Sequence, residues 1–252
     1  MSRPQAIVTL DQGNSSTKAV IYSPASGEEI AAEVISSRHG VERLRQLLSE
    51  LDVDAVIGCS VAQGRDLSEL MAIVDAPAKM TLDSATPVPL RNLYASPATL
   101  GADRMAAAVG AAALLPGEEL LVADIGTACT FDCVSSAGEF LGGNISPGPG
   151  MRLRALNRFT ARLPLVSGHA ESIPAFGRST EEALRCGAMR GVVAELLYYS
   201  GYGRRRHIVL SGGWAPEIAA LLPDDVRAEV RPHLVNEGLL NILKFNLQTI
   251  EQ

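Results

Sequence analysis

Several familiar signatures are missing from this chain of 252 residues, and each absence removes a class of function. Cysteines number four (Cys59, Cys129, Cys133, Cys186), with no C-x-x-C pair among them. That spacing excludes a secreted-type disulfide framework. Cys129 and Cys133 would share one strand face, but with no His or Cys close by in sequence they do not make a zinc site. Buried free thiols and a cytoplasmic location are expected. Long apolar runs are also absent. The longest, Met105 to Leu115, is about half of the roughly 20 residues a bilayer span requires. The apolar segment at 6–10 is too short for a signal-peptide core. Positive charge is in deficit: 22 Lys and Arg face 28 Asp and Glu, a net charge of −6. Nucleic acid and anionic membranes are thereby excluded as general partners, because both are met by a basic surface. No Walker A motif, no G-x-G-x-x-G after the first strand, no H-E-x-x-H and no nucleophile-elbow serine occurs. His39, His169, His207 and His233 lie scattered, without metal-ligand spacing.

What is present is ordinary globular material, 47% hydrophobic and 20% charged, long enough for one large domain or two small ones. Residues 6–10 and 19–22 predict two strands around the turn Asp11 to Lys18, and 29–36 a third that completes a meander. Gly40 to Leu51 has helical spacing, and Val53 to Ser60 suits a buried parallel strand. Ala102 to Leu115 reads as an Ala-rich helix, with Ser96-Pro97 as its cap and first turn. Pro116-Gly117-Glu118-Glu119 breaks the pattern and sets the expected boundary between halves 1–116 and 117–252. Strands at 120–123 and 131–134 follow. Then come a Gly/Pro-rich loop from Gly142 to Gly150, helices at 151–163 and 180–200, and a strand at 207–210 that opens onto Ser211-Gly212-Gly213. Arg154, Arg158 and Arg162 fall on one helix face, read as a solvated stripe. Strands and helices in this order predict α/β layers.

Two turns carry the chemistry. Asp11-Gln12-Gly13-Asn14-Ser15-Ser16-Thr17-Lys18 and Asp124-Ile125-Gly126-Thr127-Ala128-Cys129-Thr130 match in kind: apolar strand, Asp-x-Gly-[Asn/Thr], hydroxyl residues, apolar strand. Glycine lets successive amides converge into a nest for anionic oxygens. Lys18, one of only three lysines, adds positive charge. Asp11 and Asp124 would repel phosphate unless a cation lies between, and Mg²⁺ held by one or two carboxylates plus substrate phosphates is the usual solution. A single such turn is most simply a hairpin. Two in matched contexts point to a duplicated domain that binds nucleotide phosphates. Gly101-Ala102-Asp103-Arg104 opens the Ala-rich helix. There Asp103 is either a first-turn carboxylate favoured by the helix dipole or a base on a substrate hydroxyl, with Arg104 gripping an anionic substrate.

Together these motifs resemble the acetate-kinase, sugar-kinase, heat-shock-chaperone and actin superfamily, and within it the type III pantothenate kinases. The resemblance rests on Asp11 to Lys18, Tyr94 with Gly101 to Arg104, Asp124 to Asp132, and Gly142 to Gly148, and covers essentially the whole chain. It implies an actin-like, ribonuclease H-like duplicated α/β fold, mixed sheets flanked by helices, whose halves clamp ATP. It implies ATP-dependent phosphorylation of pantothenate to 4′-phosphopantothenate, the first step of coenzyme A biosynthesis. Asp103 would be the base, and Tyr94, Gly101, Ala102, Arg104 and Thr180 would bind pantothenate. Asp11, Gln12, Gly13, Asn14, Ser15, Ser16, Thr17, Lys18 and Thr127 would hold ATP, with Asp11 near Mg²⁺ and Asp124 on K⁺ or NH₄⁺. A homodimer is implied, its pantothenate pocket completed across the interface. Ser211-Gly212-Gly213-Trp214 departs from the Gly-Gly-Asp of many relatives on the nucleotide side. A regulatory accessory protein on the same scaffold, or a kinase of another small hydroxy acid, are the alternatives.

Overall fold

The computed structural model describes residues 3–250 apart from 15, 37–39, 63–66, 171 and 204–205. Ser15 and His39 therefore lie outside the described residues. The chain divides into two compact units, one of Met1–Leu114 with His233–Gln252, the other of Leu115–Pro232.

In the first unit β1 (Gln5–Gln12), β2 (Ser16–Tyr22) and β3 (Glu29–Ser36) form the expected meander. After α1 (Gly40–Leu48), β4 (Asp52–Ser60) lies parallel to β1; α2 (Leu67–Ile73) leads to β5 (Ala78–Thr81), and the strand order is β3-β2-β1-β4-β5. Period-two alternation sorts the strands by face. Val8, Leu10, Ala19, Ile21 and Val56 pack with Leu44 of α1 and Leu67, Leu70 and Met71 of α2. Thr9 and Asp11 point the other way. A two-residue strand, β6 (Arg91–Asn92), and a 3₁₀ turn at Pro97–Thr99 precede α3 (Ala102–Leu114). Ser96 and Pro97 thus head that separate turn and do not cap the Ala-rich helix.

The second unit repeats the plan. Strands β7 (Leu120–Ile125), β8 (Ala128–Val134) and β9 (Glu139–Pro147) form a meander; after α4 (Pro149–Phe159) and α5 (Thr180–Gly201), β10 (His207–Ser211) runs parallel to β7. Helix α6 (Ala215–Ala219) and β11 (Ala228–Val230) follow, and these strands pair in the order β9-β8-β7-β10-β11, the first unit's order element for element. The segment read as a Gly/Pro-rich loop is a strand as far as Pro147. Its glycines are there for contact: a Cβ on Gly143 would lie 2.3 Å from the Phe131 carbonyl oxygen. Helix α4 stops at Phe159 because Thr160 turns extended, at φ −126° and ψ 151°, so Arg162 leaves the stripe of Arg154 and Arg158.

The expected halves need one correction. Helix α7 (Leu234–Ile250) follows β11 in sequence but belongs to the first unit, so the second half does not run to 252. Small residues make this possible. A Cβ on Gly238 would come 1.7 Å from the Ala106 carbonyl oxygen, and one on Gly110 2.6 Å from that of Leu234. Helices α3 and α7 therefore meet backbone to backbone, with Ala106, Ala107, Leu234 and Leu239 buried around the crossing.

Candidate active site

The strand register places the acid of the first turn. Asp11 pairs with Lys18 on β2 and with Cys59 on β4, so the three side chains share one row on the face turned away from α1 and α2. Gly13 closes the turn, its N–H donating to the Ser16 carbonyl at 3.0 Å. Ser16 follows Lys18 onto that face by alternation, and Asn14 is exposed at the tip. Gln12 and Thr17 face the opposite layer and are buried; Gln12 accepts from Ser60 Oγ at 2.7 Å. The side chains expected to line one phosphate loop are thus split between two faces, with Gln12 and Thr17 on the face of α1 and α2.

Helix α3 brings the second acid. Asp103 sits in its first turn, where Oδ1 accepts from the Arg104 N–H at 2.8 Å. Gly101 makes room for that carboxylate, since a Cβ there would lie 2.5 Å from Oδ1. Burial pushes the Asp103 pKa up; the Arg104 amide and the Arg104 charge oppose but do not cancel it. Arg104 is itself buried, and its guanidinium carbon lies 5.5 Å from the centre of the Tyr94 ring, a cation–π distance. The Tyr94 N–H is in turn fixed by Asn92 Oδ1 at 2.9 Å. Cys59 links this group to the Asp11 row. Its buried thiol is 3.9 Å from Asp11 Oδ1, and its pKa is driven well up by burial and then by the carboxylates of Asp11 and Asp103. Asp11, Lys18, Tyr94, Asp103 and Arg104 accordingly belong to one unit, with both acids around one dry thiol.

Sequence reasoning missed the residue that braces this row. Asn236 of α7 is wholly buried and donates from Nδ2 to Thr9 Oγ1 (2.9 Å), the Thr9 carbonyl (3.2 Å) and the Lys18 carbonyl (3.2 Å). A lone Asn in an apolar helical stripe was the available signal.

In the second unit, Asp124 stands at the end of β7 beside Ser211 of β10, on the face turned away from the α5 and α6 side chains. Gly126 N–H donates to the Ala128 carbonyl at 3.0 Å and closes the turn, which leaves Thr127 exposed. Two glycines press on it. Gly148, before α4, donates to the Thr127 carbonyl at 3.1 Å, and a Cβ on it would lie 2.2 Å from the Gly126 oxygen. Gly212, at φ +90°, sits so that a Cβ would come 2.6 Å from Asp124 Oδ1. Thr180 is exposed at the start of α5, whose N-cap Ser179 accepts from the Glu182 N–H. It lies in a different unit from Asp103. Burial, set against Arg152 and reinforced by Glu195 and Asp124, pushes the Cys129 thiol up to about 12. Among the described residues no three His, Cys, Asp or Glu side chains form a metal cage. The donors at Asp11 and Asp124, single carboxylates beside exposed backbone, fit hard cations that take their remaining ligands from phosphate, carbonyl oxygens and water.

The sequence profile of the type III pantothenate kinases matches residues 7–199. A type III pantothenate kinase of Porphyromonas gingivalis is 39% identical over 244 residues, 94% of this chain and 98% of the relative. One of Bacteroides fragilis is 38% identical over 245 residues, 94% and 97% of the two chains. Among solved structures, a Campylobacter jejuni protein described as a Baf-family transcriptional activator superposes with a TM-score of 0.64 at 22% identity, covering 96% of this chain and 99% of that one. That last likeness speaks for the fold alone.

Proposed function

We propose the following division of labour for this chain, which belongs to the type III pantothenate kinase family. The chain has the duplicated actin-like α/β fold and phosphorylates pantothenate, a step of coenzyme A biosynthesis. ATP is the donor. Asp103 takes the proton of the primary hydroxyl as that oxygen attacks the γ-phosphorus; the new O–P bond forms while the bond to the β-phosphate bridging oxygen breaks, and ADP leaves. A carboxylate whose pKa has been raised by burial is a better base for this task than an exposed one. Arg104, stiffened by Tyr94, holds the pantothenate carboxylate. Gly101, Ala102 and Thr180 are the further pantothenate-binding residues of this scheme.

Lys18, Ser16 and the amides of the first turn hold the transferring phosphates, and Thr127 contacts ATP from the second turn. Asp11 would hold Mg²⁺ and Asp124 a monovalent cation, K⁺ or NH₄⁺; both ions supply neutralisation of phosphate charge when bound. Positioning and charge cancellation are most of what this reaction asks of a protein. A cytoplasmic setting suits the four free thiols. A homodimer suits the apolar groove of about 440 Å³ between α4 and α5, lined by Leu156, Phe159 and Ala188 among others, with Phe159 84% exposed.

The observation that carries the mechanism is the half-buried Asp103 carboxylate beside Arg104 and Tyr94, in the same unit as the Asp11–Lys18 row. The test is incubation with ATP, Mg²⁺, K⁺ and pantothenate, with mass spectrometry for 4′-phosphopantothenate and a parallel reaction lacking K⁺. Product in the complete mixture that collapses without K⁺ supports the whole scheme. No product from folded protein rejects it in favour of an accessory role.

A further inference from the structure

A guanidinium grips the end of β9. Arg152 of α4 donates from Nε to the Pro147 carbonyl at 2.7 Å and from Nη2 to Ser146 Oγ at 3.1 Å. Its backbone N–H donates to the Gly148 carbonyl at 2.9 Å. One residue thus holds three consecutive ones, 146 to 148. Glu195 of α5 completes the arrangement: its Oε1 accepts from Arg152 Nη2 at 2.5 Å, and its Oε2 from Ser146 Oγ at 2.7 Å. The Arg152, Ser146 and Glu195 side chains therefore close a three-cornered ring across β9, α4 and α5. Helix α5 leaves space for it, since a Cβ on Gly191, one turn before Glu195, would lie 2.6 Å from Arg152 Nη1. The two charged side chains are 18% and 28% exposed, a pair withdrawn from most of the solvent that would screen it.

This ring bears directly on the second turn. Ser146 and Pro147 pair with Cys129 and Ala128, the two residues of β8 that follow Thr127. The Pro147 carbonyl and the Gly148 N–H are opposite edges of one planar peptide unit. Arg152 Nε holds the first edge, and the second donates to the Thr127 carbonyl at 3.1 Å. A flat unit tied on both edges cannot rotate without breaking one of the two bonds. With its charge answered by Glu195, Arg152 acts on the turn and not on phosphate.

We propose that Arg152 and Glu195 are positioning residues for the phosphoryl donor: they fix the Pro147–Gly148 peptide unit, and through it the Thr127 carbonyl, so that the second turn meets the donor in one set geometry. This deepens the functional proposal above and rests on its assignment of Thr127 to ATP. The task calls for a fork. Lysine would keep a point charge beside Glu195 but lacks the planar group that spans Pro147, Ser146 and Glu195 together.

The test uses the full chain. In Arg152→Lys the urea midpoint is expected to stay near that of wild type, while the KM for ATP rises about ten-fold, the equivalent of one hydrogen bond. The kcat and the KM for pantothenate hold, because only donor binding has been loosened. The calorimetric Kd for ATP rises by the same factor as its KM. Arg152 also lines the groove between α4 and α5, and Ser146 lies outside that lining. Ser146→Ala, which keeps the ion pair and leaves the groove alone, is expected to raise the KM for ATP about three-fold, the effect of a weaker neutral bond. Unchanged KM and Kd for ATP in both variants, or an equal rise in the KM for both substrates, overturns the positioning role. The two proposals fail separately. Phosphopantothenate formed with the same KM for ATP by wild type and both variants removes the positioning role alone. A wild type that makes no phosphopantothenate, yet binds ATP more tightly than Arg152→Lys does, removes the kinase mechanism alone.

Discussion

Asn236 and Thr9 are 227 residues apart in sequence, and Asn236 Nδ2 donates to Thr9 Oγ1 at 2.9 Å in the dry interior of the first unit. The same amide reaches the Lys18 carbonyl at 3.2 Å, so one side chain from the last helix pins both strands of the first Asp-x-Gly hairpin. Loss of a buried donor leaves its acceptors unsatisfied, at about 1–3 kcal/mol. Asn236→Ala is expected to lower the urea midpoint at unchanged m-value, by the equivalent of about 2 kcal/mol, and to lower kcat along with it. Asn236→Asp replaces the donor by an acceptor facing acceptors and is expected to cost more than the alanine. A wild-type midpoint in both variants would show that the hairpin is held by its strands alone.

Asp103→Asn separates catalysis from stability. Turnover is expected to fall by about 10²–10⁴-fold, the range of a lost general base. Stability should move the other way. Burial raises the Asp103 pKa in the folded protein, so the ionised form opposes folding. That destabilisation is fully present above the raised folded value and vanishes below the unfolded value near 3.9. Asp103→Asn is therefore expected to melt higher than wild type at pH 7, with the gap closing as the pH falls toward 4. The acid limb of kcat/KM in the wild type should likewise lie above an ordinary aspartate. Measured melting curves at several pH values check the sign.

Asp124 and Gly212 form a linked pair in the second unit. Asp124→Ala is expected to abolish stimulation by K⁺ without unfolding the chain. Gly212→Ala should reproduce part of that loss from a neighbouring position, because its Cβ would lie 2.6 Å from Asp124 Oδ1 and its φ is +90°. Activity assayed with K⁺ against Na⁺ decides it. Full K⁺ stimulation in Asp124→Ala would place the ion elsewhere.

Two glycine substitutions in helices should have opposite signs. Gly238→Ala drives a methyl into the Ala106 backbone across the α3–α7 crossing and is expected to cost about 3 kcal/mol or more. Gly187→Ala, in α5 with nothing within 4 Å of the new methyl, should gain up to about 1 kcal/mol from helix propensity alone. Thermal or urea unfolding of the two variants side by side is the measurement.

Phe159→Glu puts a charge on the exposed apolar rim between α4 and α5. On the proposed homodimer, sedimentation is expected to show wild type as a dimer and this variant as a monomer, with a matching fall in kcat/KM for pantothenate. An unchanged dimer would free this groove of that role.

The duplicated plan was legible because strands announce themselves by short apolar runs and turns by glycine. Both Asp-x-Gly turns, the meander at 29–36 and the helix from Ala102 follow from local pattern. The strand through Gly142–Pro147 was not legible, since its glycines look like loop residues until the backbone that crowds them is known. Nor could the motif Asp11–Lys18 reveal that Gln12 and Thr17 turn away from the acid, because the register of β1 with β2 and β4 decides which face each residue takes.

The sequence by itself determined which side chains are capable of the chemistry: the acids Asp11, Asp103 and Asp124, the scarce Lys18, and the glycines that let backbone amides converge. Only the tertiary structure decided which of them stand together. Burial raised the Asp103 pKa, and the row of Asp11, Lys18 and Cys59 came from strand pairing. Helix α7 returned to the first unit because Gly110 and Gly238 let two backbones touch. Proximity between residues far apart in sequence is a property of packing, and no local pattern encodes it.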